Sequence, residues 1–169
     1  MNFNAFQNQL KSYTKDQLVF VGLGNPMRGD DGSGLIFLRL LAESGQYSRS
    51  CFIEAGTNPE NDLQKIVDFK GKAVIFIDAA DFNGTPGEIR WLDKDSLTRL
   101  QISTHAYSIT LVERYILHFH PYVFFYLGIQ PESKHFGEGL SETLARSVHS
   151  FFDRDLTEYS DSGLQSILS

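Results

Sequence analysis

Apolar residues gather along this chain in short runs, each followed by a polar, turn-forming segment. Leu18-Val-Phe-Val21 leads into a glycine-rich loop, Cys51-Phe-Ile53 into Gly56-Thr-Asn-Pro-Glu60, Ala73-Val-Ile-Phe-Ile77 into Asp78, and Tyr122-Val-Phe-Phe-Tyr-Leu127 into Gly128. Runs of this length bounded by glycine and proline predict buried strands, at about 18–22, 50–55, 73–77 and 122–127. The run at 73–77 has no polar interruption, which predicts a central strand covered on both faces. Glu88-Ile-Arg-Trp-Leu92 alternates polar and apolar instead, and predicts an edge strand with one wet face. Between the strands the pattern is helical. Helices are predicted at about 32–43, closing near Gly45, and at 60–69, opened by Asn58-Pro59 and ended by Gly71. A third spans 105–119, where Ile109, Val112, Ile116 and Phe119 recur at helical spacing and Ser103 or Thr104 can cap. Pro121 ends it, and a last helix spans 139–152.

Strands alternating with helices predict an α/β fold: a three-layer α/β/α sandwich around a mainly parallel sheet of about five strands. Only the turn-dense loop 81–87 separates the strand at 73–77 from that at 88–92, so these two are expected to run antiparallel and the sheet to be mixed. No linker or repeat divides the chain, which reads as one domain over 1–169. Residues 1–16 are expected to be a short helix or irregular lead-in, and 156–169 a weakly constrained tail.

Composition narrows the function classes. A length of 169 residues, 41% hydrophobic and 21% charged, suits one soluble globular core. No apolar run is long enough to span a bilayer, and the N-terminus lacks the basic and apolar regions of a secretory signal, so no membrane insertion is expected. A single cysteine, Cys51, excludes an internal disulfide and a multi-thiolate metal site, and points to a reducing, cytoplasmic location. The net charge of −6 disfavours a nucleic-acid partner.

The loop after the first strand carries two adjacent carboxylates, Asp30 and Asp31, where open α/β sheets bind ligands. Asp78 ends the third strand and His105 opens a helix, so Asp31, Asp78 and His105 can converge at the carboxyl edge of the sheet. Two carboxylates and an imidazole suit a divalent metal of borderline softness such as zinc or nickel, with positions left for water or substrate. Local sequence alone leaves other roles open: Asp31 as a helix cap, Asp78 as a strand terminator, His105 as a capping-turn residue. Asp30 reads as structural, and Asp81 either supports Asp78 or caps a turn. Cys51 reads as a buried thiol, and His118 and His120 as helix-end residues. The pattern assigns no role to His135 or His149, and Ser33 lacks the strand-to-elbow context of a hydrolase nucleophile.

Gly22-Leu-Gly24 after a strand resembles a dinucleotide fingerprint, but the third glycine falls at Met27 and the acid pair would repel a pyrophosphate. Val21-Gly-Leu-Gly-Asn-Pro26 resembles the opening of peptidyl-tRNA hydrolase, an esterase alternative, but the continuation lacks that family's catalytic histidine. The whole stretch is most similar to the hydrogenase maturation endopeptidases, whose signature Gly-Asn-x-x-x-x-Asp-(Asp/Glu)-x-x-Gly is matched by Gly24-Asn25, Asp30-Asp31 and Gly34. Similarity continues through Ala55-Gly-Thr-Asn-Pro-Glu60, Ile77-Asp-Ala-Ala-Asp81, Thr85-Pro-Gly-Glu88, Ser103-Thr-His105, Leu127-Gly-Ile-Gln-Pro131 and Gly139-Leu-Ser141, covering roughly residues 18–153. It looks closest to the subgroup serving formate-hydrogenlyase-type hydrogenases. The resemblance implies an endopeptidase that removes a C-terminal extension from the nickel-loaded large-subunit precursor of a [NiFe] hydrogenase. It also implies that Asp31, Asp78 and His105 are the catalytic and metal-binding positions. The nickel would be that of the precursor, and no organic cofactor is implied. The non-enzymatic alternative is a metal-checkpoint or chaperone module that binds the same precursor without cutting it.

Overall fold

The structure is a computed structural model and describes residues 1–99, 103, 105–132 and 137–152. Thr104, His135 and the tail expected at 156–169 lie outside the described residues. One sheet contains β1 (Leu18–Leu23), β2 (Cys51–Gly56), β3 (Ala73–Ala79), β4 (Ile89–Leu92) and β5 (Val123–Ile129). Its order is β2-β1-β3-β5-β4, with all neighbours parallel except the antiparallel pair β4–β5. Helices α1 (Phe3–Leu10), α2 (Ser33–Glu43) and α6 (Glu142–Phe151) pack on one face. Helices α3 (Leu63–Phe69), α4 (Lys94–Arg99) and α5 (Ala106–Phe119) pack on the other. The expected mixed α/β/α sandwich is the observed architecture.

Strand parity distributes the two cores. Along β3, Ala73, Ile75 and Ile77 join the α2 face while Val74 and Phe76 join the α5 face. Successive side chains of a strand point to opposite faces. Asp78 therefore shares its parity with Val74 and Phe76, on the side where α5 begins.

Two features go beyond the sequence reading, and the lead-in takes the helical of its two expected forms. β4 runs antiparallel to β3 as expected, but β5 stands between them. The loop 81–87 steps over the end of β5 and is held there by Gln130, whose Oε1 accepts from the backbone N–H groups of Phe82 (2.9 Å) and Gly84 (3.0 Å). Residues 94–99, in a polar segment, form α4. The lead-in contributes α1, capped by Asn2, whose Oδ1 accepts from Ala5 N–H at 2.9 Å. Phe6 of α1 is fully buried and is surrounded by the rings of Phe20, Phe37, Tyr47, Trp91 and Phe151. Aromatic pairs at such spacings add to the area they bury.

Gly34 sets how closely α2 lies on the sheet. A Cβ there would stand 2.3 Å from the Ile77 carbonyl oxygen and 2.5 Å from that of Leu23. Backbone of two strands cannot yield as a side chain can, so α2 would have to lift. Gly34→Ala is expected to cost about 3 kcal/mol or more, read as a lowered urea midpoint with an unchanged slope.

Candidate active site

The loop from β1 to α2 begins with a glycine the geometry requires. Gly24 has φ +122°, and a Cβ there would lie 1.8 Å from the carbonyl oxygen of Asp31. Asn25 then closes a tight turn, its Oδ1 accepting from Met27 N–H at 3.0 Å. A 3-10 turn at Gly29–Gly32 carries both acids. Asp31 does not cap α2, whose N-cap is Gly32. Its Oδ2 turns back to accept from Asn25 N–H at 3.0 Å.

Asp30 points the other way, in keeping with the structural reading of its sequence. It is buried, and its carboxylate accepts from Glu132 N–H (2.9 Å), Ser141 N–H (2.7 Å) and Ser141 Oγ–H (3.1 Å). It thus ties the Asp31 loop to the connection between β5 and α6. Gly29 N–H adds a bond to the Gly137 carbonyl at 2.6 Å.

Asp78 and His105 meet directly. Asp78 is 4% exposed and His105 6%. His105 Nδ1 lies 3.2 and 3.1 Å from the two carboxylate oxygens of Asp78. Ser103 completes the arrangement: its Oγ–H donates to Asp78 Oδ2, and the same oxygen accepts from His105 N–H at 3.0 Å. The sequence reading offered Ser103 only as a helix cap. The structure makes it the bridge that fixes Asp78 and His105 relative to each other. Its signal was the Ser-x-His spacing at a helix start, which gives one hydroxyl reach to both the backbone and a facing carboxylate.

Burial pushes the Asp78 carboxyl above its ordinary range, only partly countered by His105 and Ser103, and the charge of Asp31 pushes the same way. Burial alone would lower the His105 imidazole. Its hydrogen bond to Asp78, and the charges of Asp78, Asp31 and Glu60, outweigh that and hold it above its ordinary value. Both directions favour a proton retained between Asp78 and His105, and such a pair titrates as a unit. Asp31 is thus close enough to be felt by both, without bridging them as Ser103 does. Among the described residues, no three His, Cys, Asp or Glu side chains stand together at the spacing of a metal shell. Glu60, in the 3-10 turn Pro59–Asp62 after β2, is the site neighbour the sequence reading missed.

The other candidates lie outside this cluster. Asp81 caps its turn, accepting from Asn83 N–H (3.4 Å) and Gln130 Nε2 (3.1 Å). Cys51 is half-buried on β2, with its thiol pushed up by burial. His118 lies exposed in the last turn of α5, His120 caps that helix, and His149 is buried in α6.

A sequence profile described as HycI, hydrogenase maturation protease, matches residues 38–158. The chain belongs to the hydrogenase maturation protease family. Its members are peptide hydrolases, which sets aside both the non-cutting module and the peptidyl-tRNA hydrolase reading. The matched segment contains Asp78 and His105 and begins after Asp31. The hydrogenase 3 maturation protease of Escherichia coli K12 is 28% identical over 138 residues, 80% of this chain and 86% of that protein. The crystal structure of a [NiFe] hydrogenase maturation protease HycI from Thermococcus kodakarensis superposes with a TM-score of 0.71 at 25% identity, over 88% of this chain and 94% of that one. The maturating endopeptidase HybD from Escherichia coli shares the fold, with a TM-score of 0.65 at 22% identity over 87% and 94% of the two chains. Among the described residues of this family member, no helix is long and apolar enough to cross a membrane.

Proposed function

We propose that this protease removes a C-terminal extension from the large-subunit precursor of a [NiFe] hydrogenase after nickel insertion. Asp31, Asp78 and His105 are the residues that meet the precursor's nickel and the bond to be cut. The observation that carries this reading is the buried Asp78–Ser103–His105 cluster at the carboxyl edge of the sheet, faced by the charge of Asp31. Nickel enters as part of the substrate. Two carboxylates and an imidazole match its borderline character. With Nδ1 turned to Asp78, His105 offers Nε2 to the substrate, and the carboxylate behind it fixes the ring, as carboxylates do for ligating histidines. Asp31 supplies the second negative group and is the candidate general base toward a water molecule, which gives the site an aspartic-protease character. The nickel-loaded precursor is met in the cytoplasm.

The test is the mass of the matching large-subunit precursor, with and without nickel, after incubation with the protein. Loss of a C-terminal peptide from the nickel-loaded form alone is the expected result. An unchanged mass in both forms removes the proposal, and equal cleavage of both removes the role of nickel.

A further inference from the structure

Five of the eight large apolar side chains exposed among the described residues belong to one helix, α5. The buried face of α5 is complete without them: Ile109, Val112 and Ile116 pack into the sheet. On the opposite side Tyr107 (77% exposed), Leu111 (45%), Tyr115 (41%) and Phe119 (48%) follow one another at intervals of four. They form a continuous ridge about 18 Å long. Ridges of this spacing are what helices use to pack against other helices, crossing at about −50°. A soluble protein gains nothing by holding such a ridge in water unless something covers it.

The ridge begins at the end of α5 that His105 caps. Tyr107 stands two residues after His105, and Met27, 57% exposed, belongs to the loop that carries Asp31. We infer that the outer face of α5 is the docking surface for the folded body of the large-subunit precursor, which lays an amphipathic helix across Tyr107, Leu111, Tyr115 and Phe119 while its tail enters the site. This inference rests on the function proposed above. A second copy of this chain fits the face poorly. In a two-fold α5–α5 pair the exposed Arg114, next to the middle of the ridge, would face its own image.

The test is a double variant, Leu111→Glu/Tyr115→Glu, with Leu111→Ser/Tyr115→Ser as its milder partner should the charges disturb folding. Three readings are needed: binding of the nickel-loaded precursor in an Asp78→Asn background, cleavage of that precursor against its concentration, and sedimentation of the protein alone. The expected result is precursor binding and KM weakened at least tenfold, with kcat within twofold. Unchanged binding and KM in a folded variant overturn the inference. So does a wild-type dimer that both variants dissociate while cleavage is unaffected. If wild type binds the precursor without ever cutting it, and the variants lose that binding, the docking surface stands and the proposed cleavage falls. If wild type does not bind it, both fall.

Discussion

Asp78→Asn is expected to leave a protein at least as thermostable as wild type that no longer cuts its precursor. The two halves of this result have one physical origin. Asp78 is almost wholly buried, and burial pushes its carboxyl upward. A carboxyl whose folded pKa lies above its unfolded value contributes stability at acid pH that is lost as pH rises through the folded value. At neutral pH the wild-type fold therefore carries a cost at this position, offset in part by His105 and Ser103. Asparagine has the same shape, accepts from Ser103 through its Oδ1, and carries no charge to desolvate. His105 loses the partner that raised its pKa and, being buried, reverts to the neutral form. Its folded pKa then lies below the unfolded one, so the stability difference moves further in favour of the variant as pH rises. Activity goes the other way. The imidazole loses the charge that selects its tautomer and holds its proton, and substitutions of this kind behind a working histidine cost about 10⁴ in rate. Cleavage assays and thermal melts across pH on the same preparations read both halves. Cleavage within tenfold of wild type would remove Asp78 from the machinery, and a collapsed melting temperature would show the pair to be structural.

How far this site could be seen from the sequence depends on the range of the forces involved. The uninterrupted run Ala73–Ile77 ending in an acid made Asp78 conspicuous, because a charge directly after buried strand has few bland explanations. Strand parity then sends it to the α5 side, and a helix start at His105 faces it. That much is local pattern plus the alternation of a strand. The hidden parts are those decided by side chains distant in sequence. Ser103 read as a cap because hydroxyls at helix starts usually serve the backbone, and only the position of Asp78 across the edge turns it into a bridge. Glu60 lies in a turn whose closeness to His105 depends on how α3 packs against α5. The insertion of β5 between β3 and β4 is likewise a matter of long-range pairing, since the turn signals at 81–87 fit a hairpin equally well. In α1 the buried pair Phe6 and Leu10 is spaced for a helix, but eight residues offer too little periodicity to separate from noise.

Asp30→Ala is expected to be a severely damaging change in the site loop, although Asp30 stands outside the proposed hydrolytic and metal-meeting set. Its carboxylate is 1% exposed and receives Glu132 N–H, Ser141 N–H and Ser141 Oγ–H, reaching 111 residues along the chain. Alanine removes the acceptor and leaves two backbone N–H groups without it. Hydrogen bonds to a charged acceptor are worth about 1.5–3 kcal/mol each, and breaking such a buried set costs about 3–5 kcal/mol. That is a large share of the 5–15 kcal/mol by which domains are ordinarily stable. The damage should also be directional. Asp30 joins the turn that carries Asp31 to the start of α6, whose Ser141 caps that helix through Leu144 N–H. Losing it frees both at once. Denaturant titration should show the loss of stability, and hydrogen exchange should show the amides of 27–32 and 141–145 exchanging faster than the sheet. Asp30→Asn separates the two contributions. It keeps one oxygen to accept from Ser141 N–H but gives up the charge and the second oxygen, so it should recover part of the stability. Its cleavage rate should rise only as far as Asp31 is returned to its place. If Asp30→Asn recovers full stability while cleavage stays absent, Asp30 acts in the chemistry itself and the separation of the acid pair into an anchor and a working carboxylate is overturned.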